Sequence, residues 1–166
     1  MEFKFTQENL NRIEQETKKY PVRKPAVMAA LYIAQEQNGY ISYEVMKEVA
    51  TVLGITEEEV LGVVTFYTMY HQKPMGKYHI QVCTNVSCML RGGYEIWNQI
   101  KEKLGLDHMA VSADQKFSLE EVECMGSCGT APMIAINEDY YENLSKEKVE
   151  EILNGLSATL SKEEGV

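Results

Sequence analysis

The sequence predicts an α+β chain in which a bundle of helices, residues 1–74, precedes a small α/β domain, residues 75–166. Three observations lead there. Capped helical periodicity recurs four times before residue 74, the stretch "QKPMGK" interrupts it, and beyond that point alternating apolar segments take turns with amphipathic ones. With 166 residues and 45% apolar composition, the chain can bury a core without covalent staples.

The helical part opens with "TQENLNRIEQETKKY", in which Thr6 is placed as N-cap and Leu10, Ile13 and Thr17 share a face. Pro21 closes it, and Pro25 suits the first turn of "PAVMAALYIAQEQNG", which Gly39 ends. "SYEVMKEVATVLG" repeats the pattern with Ser42 as cap, Val45, Val49 and Leu53 on one face, and Gly54 as stop. "TEEEVLGVVTFYTMYH" carries a capping box, Thr56 with Glu59, and acidic residues in the first turn, where the helix dipole favours them. Short connections between four helices predict a bundle.

In the second part "YHIQVC" alternates as a strand ending on Cys83, and "GGYEIWNQIKEKLG" places Ile96, Ile100 and Leu104 on one helical face. A strand at "FSLEEVEC" is expected to end on Cys124. Strands at "MIAIN" and "YYENL" follow, and then a helix capped by Ser145. The expected order is β-α-β-β-β-α.

Charge excludes one class of function. The net charge of −9 argues against nucleic acid, whose phosphates are bound mainly by Lys and Arg. Residues 1–74 carry 8 basic and 10 acidic side chains, and residues 75–166 carry 8 and 15, so the cysteine-bearing part is the acidic one. That excess could steer a basic partner or simply keep the surface solvated. The start "MEFKFTQENL" has no apolar signal region, and the longest apolar run, Ala26 to Ala34, is far short of the roughly 20 residues that span a bilayer. A cytoplasmic chain with reduced thiols, reaching a membrane only through partners, is expected.

All four cysteines lie in "CTNVSC", Cys83 to Cys88, and "CMGSC", Cys124 to Cys128. Cys83 and Cys124 are expected at two strand ends, with Cys88 and Cys128 on the loops that follow, so that the four thiols converge. Four soft sulfurs suit zinc, a single iron or an iron-sulfur cluster. Tight Cys-x2-Cys turns are the usual zinc pattern, and wider gaps suit a longer object such as a [2Fe-2S] rhomb. Zinc spacings of up to four also occur, so spacing leaves both open. Gly126 and Gly129 either free backbone N–H groups to donate to sulfur or serve only a tight turn. Met89 and Met125 either shield the site from water or pack ordinarily. Pro132 stands ahead of a strand, where a cis bond is an option. His71, His79 and His108 have no metal-ligand partner at useful spacing. No Gly-x-Gly-x-x-Gly follows a predicted strand, and "RGGY" lacks the Lys-Ser/Thr of a P-loop.

"GVVTFYTMYHQKPMGKYHIQVCTNVSCMLRGG", Gly62 to Gly93, and "FSLEEVECMGSCGTAPMIAINEDYYENLS", Phe117 to Ser145, resemble the 24-kilodalton (E-type) family of [2Fe-2S] subunits of NADH:quinone oxidoreductase (complex I), with relatives in NAD-linked hydrogenases and formate dehydrogenases. The resemblance spans nearly the whole chain. It implies a thioredoxin-like ferredoxin domain with one [2Fe-2S] cluster held by Cys83, Cys88, Cys124 and Cys128, after an N-terminal helical domain. Within that resemblance, Cys83 and Cys88 are expected on one iron and Cys124 and Cys128 on the other, an assignment the sequence leaves open. It also implies an electron-transfer role beside a larger flavoprotein subunit of the 51-kilodalton type, on which FMN and NADH are expected, so that the chain is not catalytic alone. The helical domain is expected to supply the docking surface, either through "TFYTMY", Thr65 to Tyr70, or with those aromatics in its core. "KKYPVRK", Lys18 to Lys24, either touches an acidic partner or is a solvated linker. A zinc-stabilised interaction module and a thiol-disulfide enzyme stand as alternatives, distinguished by colour, metal content and cysteine reactivity.

Overall fold

Each of the first four helices starts at a side chain or turn that deals with otherwise orphaned backbone N–H groups. The structure is a computed structural model that describes residues 2–163; Met1 and residues 164–166, at the outer limits of the expected domains, lie outside the described residues. Helix α1 (Gln7–Thr17) follows Thr6, whose Oγ1 accepts from the Asn9 N–H at 3.2 Å. Pro25 sits in a 3-10 turn (Lys24–Ala26) that leads into α2 (Val27–Asn38), which ends at Gly39. Helix α3 (Tyr43–Leu53) opens on Ser42, whose Oγ accepts from Val45 N–H, and ends at Gly54. Helix α4 (Glu57–Phe66) carries the complete capping box: Thr56 Oγ1 accepts from Glu59 N–H, and Glu59 Oε2 from Thr56 N–H.

These helices bury one shared core of Ile13, Leu31, Val45, Val49, Leu53, Val60 and Val64, all at most 2% exposed. Each such side chain contributes roughly 1.5–3 kcal/mol of burial. Helix α4 stops at Phe66, before most of the aromatic run. Tyr67 turns extended there, and Tyr70 comes back into the core with its hydroxyl donating to the Met28 carbonyl at 3.0 Å. The aromatics of "TFYTMY" are therefore divided, with Tyr70 buried and Phe66 76% exposed.

The chain divides into two units, Met1–Pro74 and Met75–Val166. The second is built on a five-stranded sheet of order β2-β3-β1-β4-β5, comprising β1 (Tyr78–Cys83), β2 (Ala110–Val111), β3 (Phe117–Val122), β4 (Ile134–Ile136) and β5 (Asp139–Tyr141). Strands β1 and β3 run parallel, and the other pairs are antiparallel. Between β1 and β2 lie a short helix α5 (Val86–Leu90) and α6 (Gly93–Leu104), and α7 (Lys146–Glu163) ends the described chain with Ser145 Oγ accepting from Lys148 N–H. Ile96, Trp97 and Ile100 of α6 and Val149 and Leu153 of α7 pack with Ile80, Val82, Leu119 and Ile134 of the sheet. Strand alternation turns His79, Gln81 and Cys83 to the opposite face. The α+β expectation holds, and the Ala131–Pro132 peptide is cis.

The two-residue strand β2 and the helix α5 were not expected. Neither is long enough to show a period in sequence. The expected strand reaching Cys124 is also shorter than read: β3 ends at Val122 because β1, its parallel partner, ends at Cys83. No helix among the described residues is long and apolar enough to cross a membrane.

Candidate metal centre

The two parallel strands end together. Cys83 is the last residue of β1 and is paired in register with Val122, the last residue of β3, so both chains leave the sheet at one edge carrying cysteines. After Cys83 the chain enters α5, which Asn85 caps by accepting from the Val86 N–H at 2.7 Å. Cys88 thus sits on a short helix rather than the expected loop. Cys124 stands two residues beyond the end of β3, and Cys128 begins a 3-10 turn (Cys128–Thr130).

Cys83 and Cys88 are buried against Ala131 and Met133, with Val122 and Met125 packed beside them. Burial pushes the Cys88 thiol up to about 11, and its hydrogen bond and proximity to Cys83 add to the effect, as does the more distant Cys128. Cys83 and Cys88 lie in one buried cluster. Cys124 and Cys128 are exposed. Gly126, at φ +76°, takes a left-handed turn that a side chain would strain, and its N–H donates to Cys124 Sγ at 3.4 Å. Gly126 thus combines the two readings, donating to a sulfur and making the turn. Met125 packs against the buried thiols, whereas Met89 is 45% exposed.

The close fit around Cys88 has a backbone cause. A Cβ at Gly93 would lie 2.9 Å from the Cys88 carbonyl carbon and oxygen and 3.0 Å from the Cys83 carbonyl oxygen. Only a glycine lets α6 start so near both cysteines. Arg91 fastens the other side by donating to the Ala131 carbonyl at 3.3 Å.

All four thiols are free of disulfides. Among the described residues no three His, Cys, Asp or Glu side chains close on one point as a single ion requires. The structure brings together Cys83 and Cys88, holds Cys128 nearby, and keeps Cys124 on the outer arm. As a donor set these are four soft sulfurs on two arms leaving adjacent strands, one pair buried and one exposed. They fit an iron-sulfur cluster, which thiolates alone can ligate. A bound cation would reverse the burial effect on Cys88, since a coordinating thiol loses its proton outright.

Sequence reasoning missed a polar network on the face that carries Cys83. His79 Nε2 lies 2.9 Å from Glu120 Oε2, His79 Nδ1 lies 2.9 Å from Ser118 Oγ, and Gln81 Nε2 donates to Glu120 Oε2 at 2.9 Å. His79, Ser118 and Glu120 are all buried. The signal was the alternation that puts His79, Gln81 and Cys83 on one side, but the partners lie on a strand about 40 residues away. His108 also has a structural role, since its Nδ1 accepts from the Glu121 N–H.

Comparison with known proteins identifies the family. A model of the family described as thioredoxin-like [2Fe-2S] ferredoxin matches residues 13–157. The chain is 45% identical over 157 residues to the E-type subunit of the NADH-quinone oxidoreductase of Rickettsia bellii, a match covering 93% of this chain and 94% of that protein. It is 40% identical over 157 residues to the second-numbered subunit of the NADH-quinone oxidoreductase of Thermus thermophilus, covering 93% and 87%. Among solved structures, an NAD+-reducing [NiFe]-hydrogenase in the air-oxidized state superposes with a TM-score of 0.68 at 19% identity over 80% of this chain and 23% of that longer one, which shows a shared fold.

Proposed function

Because the chain belongs to the thioredoxin-like [2Fe-2S] ferredoxin family, we propose that it is the iron-sulfur electron-transfer subunit of an NADH-oxidising complex, namely NADH:quinone oxidoreductase. The observation that carries this is the near full-length identity of 40–45% to subunits of that complex, joined to four free cysteines at one sheet edge. The quinone oxidoreductase reading is preferred over a hydrogenase or formate dehydrogenase on the strength of those relatives.

When bound, a [2Fe-2S] cluster accepts and releases one electron at a time. Cys83, Cys88, Cys124 and Cys128 would hold it, with Cys83 and Cys88 as the buried pair and Cys124 and Cys128 as the exposed pair. Burial by Ala131, Met133 and Met125 keeps water from the inner thiols. The Gly126 N–H supports the negative charge on Cys124 sulfur. The exposed pair faces outward, where a redox partner can approach.

FMN and NADH belong to a larger flavoprotein subunit in this reading, and this chain docks on it. Support comes from exposed apolar side chains that no fold requires outside, Phe66 in the helical unit and Leu90, 77% exposed, beside Cys88. The complex lies peripheral to the membrane through its other subunits. Affinity purification of the tagged chain from its own cell extract tests the assignment. Recovery of a flavoprotein with quinone-linked subunits is expected; recovery of hydrogenase subunits would reassign the complex, and no flavoprotein at all would overturn the reading.

A further inference from the structure

The arm carrying Cys124 and Cys128 is held from outside by the segment around and after β5. Tyr140 Oη donates to the Met125 carbonyl at 3.1 Å. The Glu142 carboxylate accepts from the hydroxyls of Ser127 and Thr130, the latter at 2.5 Å, and those hydroxyls are 2.7 Å from each other. Backbone bonds continue the strap, from Asn143 N–H to the Thr130 carbonyl at 2.7 Å and from Leu144 N–H to the Pro132 carbonyl at 3.1 Å. The 3-10 turn holding Cys128 is three residues long and has no side-chain cap of its own. So short a turn cannot fix its own direction, and tertiary hydrogen bonds must do so.

We propose that Glu142 is a positioning residue for the cysteine site: one carboxylate oxygen clamps the two hydroxyls that bracket Cys128 and fixes the direction in which that thiol leaves the arm. The proposal rests on the reading of the four cysteines as cluster ligands. Hydrogen bonds to an ionised carboxylate are roughly twice as strong as neutral ones, so this clamp outweighs the Ser127–Thr130 contact alone. Bonded to the residues that flank Cys128, the carboxylate also adds negative charge to that arm, which opposes the arrival of an electron and lowers the reduction potential. Glu142 is exposed, so that electrostatic part is screened by salt whereas the clamp is not.

The test uses the full chain, anaerobically loaded with iron and sulfide, as wild type and as Glu142→Ala, Glu142→Gln and Glu142→Asp. Cluster loss to a chelator, the electron paramagnetic resonance g values of the reduced form, and the midpoint potential at low and high salt are read for each. Glu142→Ala is expected to lose its cluster about tenfold faster, as the loss of roughly 1.4 kcal/mol implies, with altered g values. Glu142→Gln is expected to keep the cluster but show a raised midpoint that differs less from wild type in high salt, and Glu142→Asp to restore wild-type behaviour. Wild-type g values and midpoint in both Ala and Gln variants would overturn the proposal, even with faster loss, because that pattern is a structural role only. If Glu142→Ala does not fold by circular dichroism, the Gln and Asp variants decide. A wild-type chain that takes up no two-iron cluster would overturn the ligand reading beneath it, a distinguishable failure.

Discussion

Cys83 and Val122 face each other as the last residues of two parallel strands, and from that pairing the cysteine arms take their common origin. The chain beyond Cys83 goes inward through α5 to the buried Cys88, and the chain beyond Val122 goes outward through Cys124 to Cys128. The site is asymmetric as a result, with one pair in the core and one at the surface.

That asymmetry separates two effects in a serine series. Each of Cys83→Ser, Cys88→Ser, Cys124→Ser and Cys128→Ser is expected to lose the normal cluster. In the metal-free chain, Cys83→Ser and Cys88→Ser bury a hydroxyl and are expected to cost roughly 1–3 kcal/mol, whereas Cys124→Ser and Cys128→Ser stay within about 0.5 kcal/mol of wild type. Iron content and urea unfolding of each variant read the two effects, and any variant keeping a normal cluster removes that residue from the ligand set.

Gly93→Ala tests the approach of α6 to the site. Its Cβ would meet the backbone of Cys88 and Cys83 at 2.9–3.0 Å, and backbone cannot swing aside as a side chain does. A loss of roughly 1–3 kcal/mol is expected, together with reduced iron content. Urea unfolding and an iron assay check it, and unchanged values in both would show that α6 can shift.

Two exposed apolar residues test the partner surface. Phe66→Ser and Leu90→Ser remove side chains in contact mainly with water, so the isolated chain should keep its stability within about 0.5 kcal/mol. Binding to the flavoprotein is expected to weaken about tenfold or more for a residue that anchors the interface. Titration calorimetry with the purified partner gives the answer, and unchanged affinity in both variants places the interface elsewhere.

Tyr70 gives a pH dependence of known sign. Burial pushes its hydroxyl up to about 12. An unfolded tyrosine ionises near 10, so between those values the folded chain holds a proton that the unfolded chain has released, and stability falls as pH rises. Below about pH 10 the contribution is fully present. Tyr70→Phe is expected to cost about 1 kcal/mol at about pH 8 through the lost bond to the Met28 carbonyl, and to unfold with a shallower alkaline decline above about pH 10. Urea unfolding on both sides of that value shows whether the two curves converge.

Local rules made the helical unit legible. Thr6, Ser42, Thr56 and Glu59 cap as their positions require, because capping involves residues three apart. The end of β1 on Cys83 was legible because a strand of six residues shows its alternation. Cys88 on α5 was not, since five residues show no period, and Cys124 was placed two residues too near the sheet because the length of β3 depends on where β1 ends. The His79–Glu120 contact and the Glu142 clamp lay beyond reading for a related reason. Both join residues far apart in sequence, and no local pattern announces such a partner.

The central claim is that Cys83, Cys88, Cys124 and Cys128 hold a [2Fe-2S] cluster. Iron, sulfide and zinc assays on the anaerobically purified full chain, with a visible spectrum before and after dithionite, test it most directly. Two irons and two sulfides per chain, with a reddish colour that bleaches on reduction, are the expected result. One zinc in a colourless protein would contradict it and make the four thiols a structural zinc site.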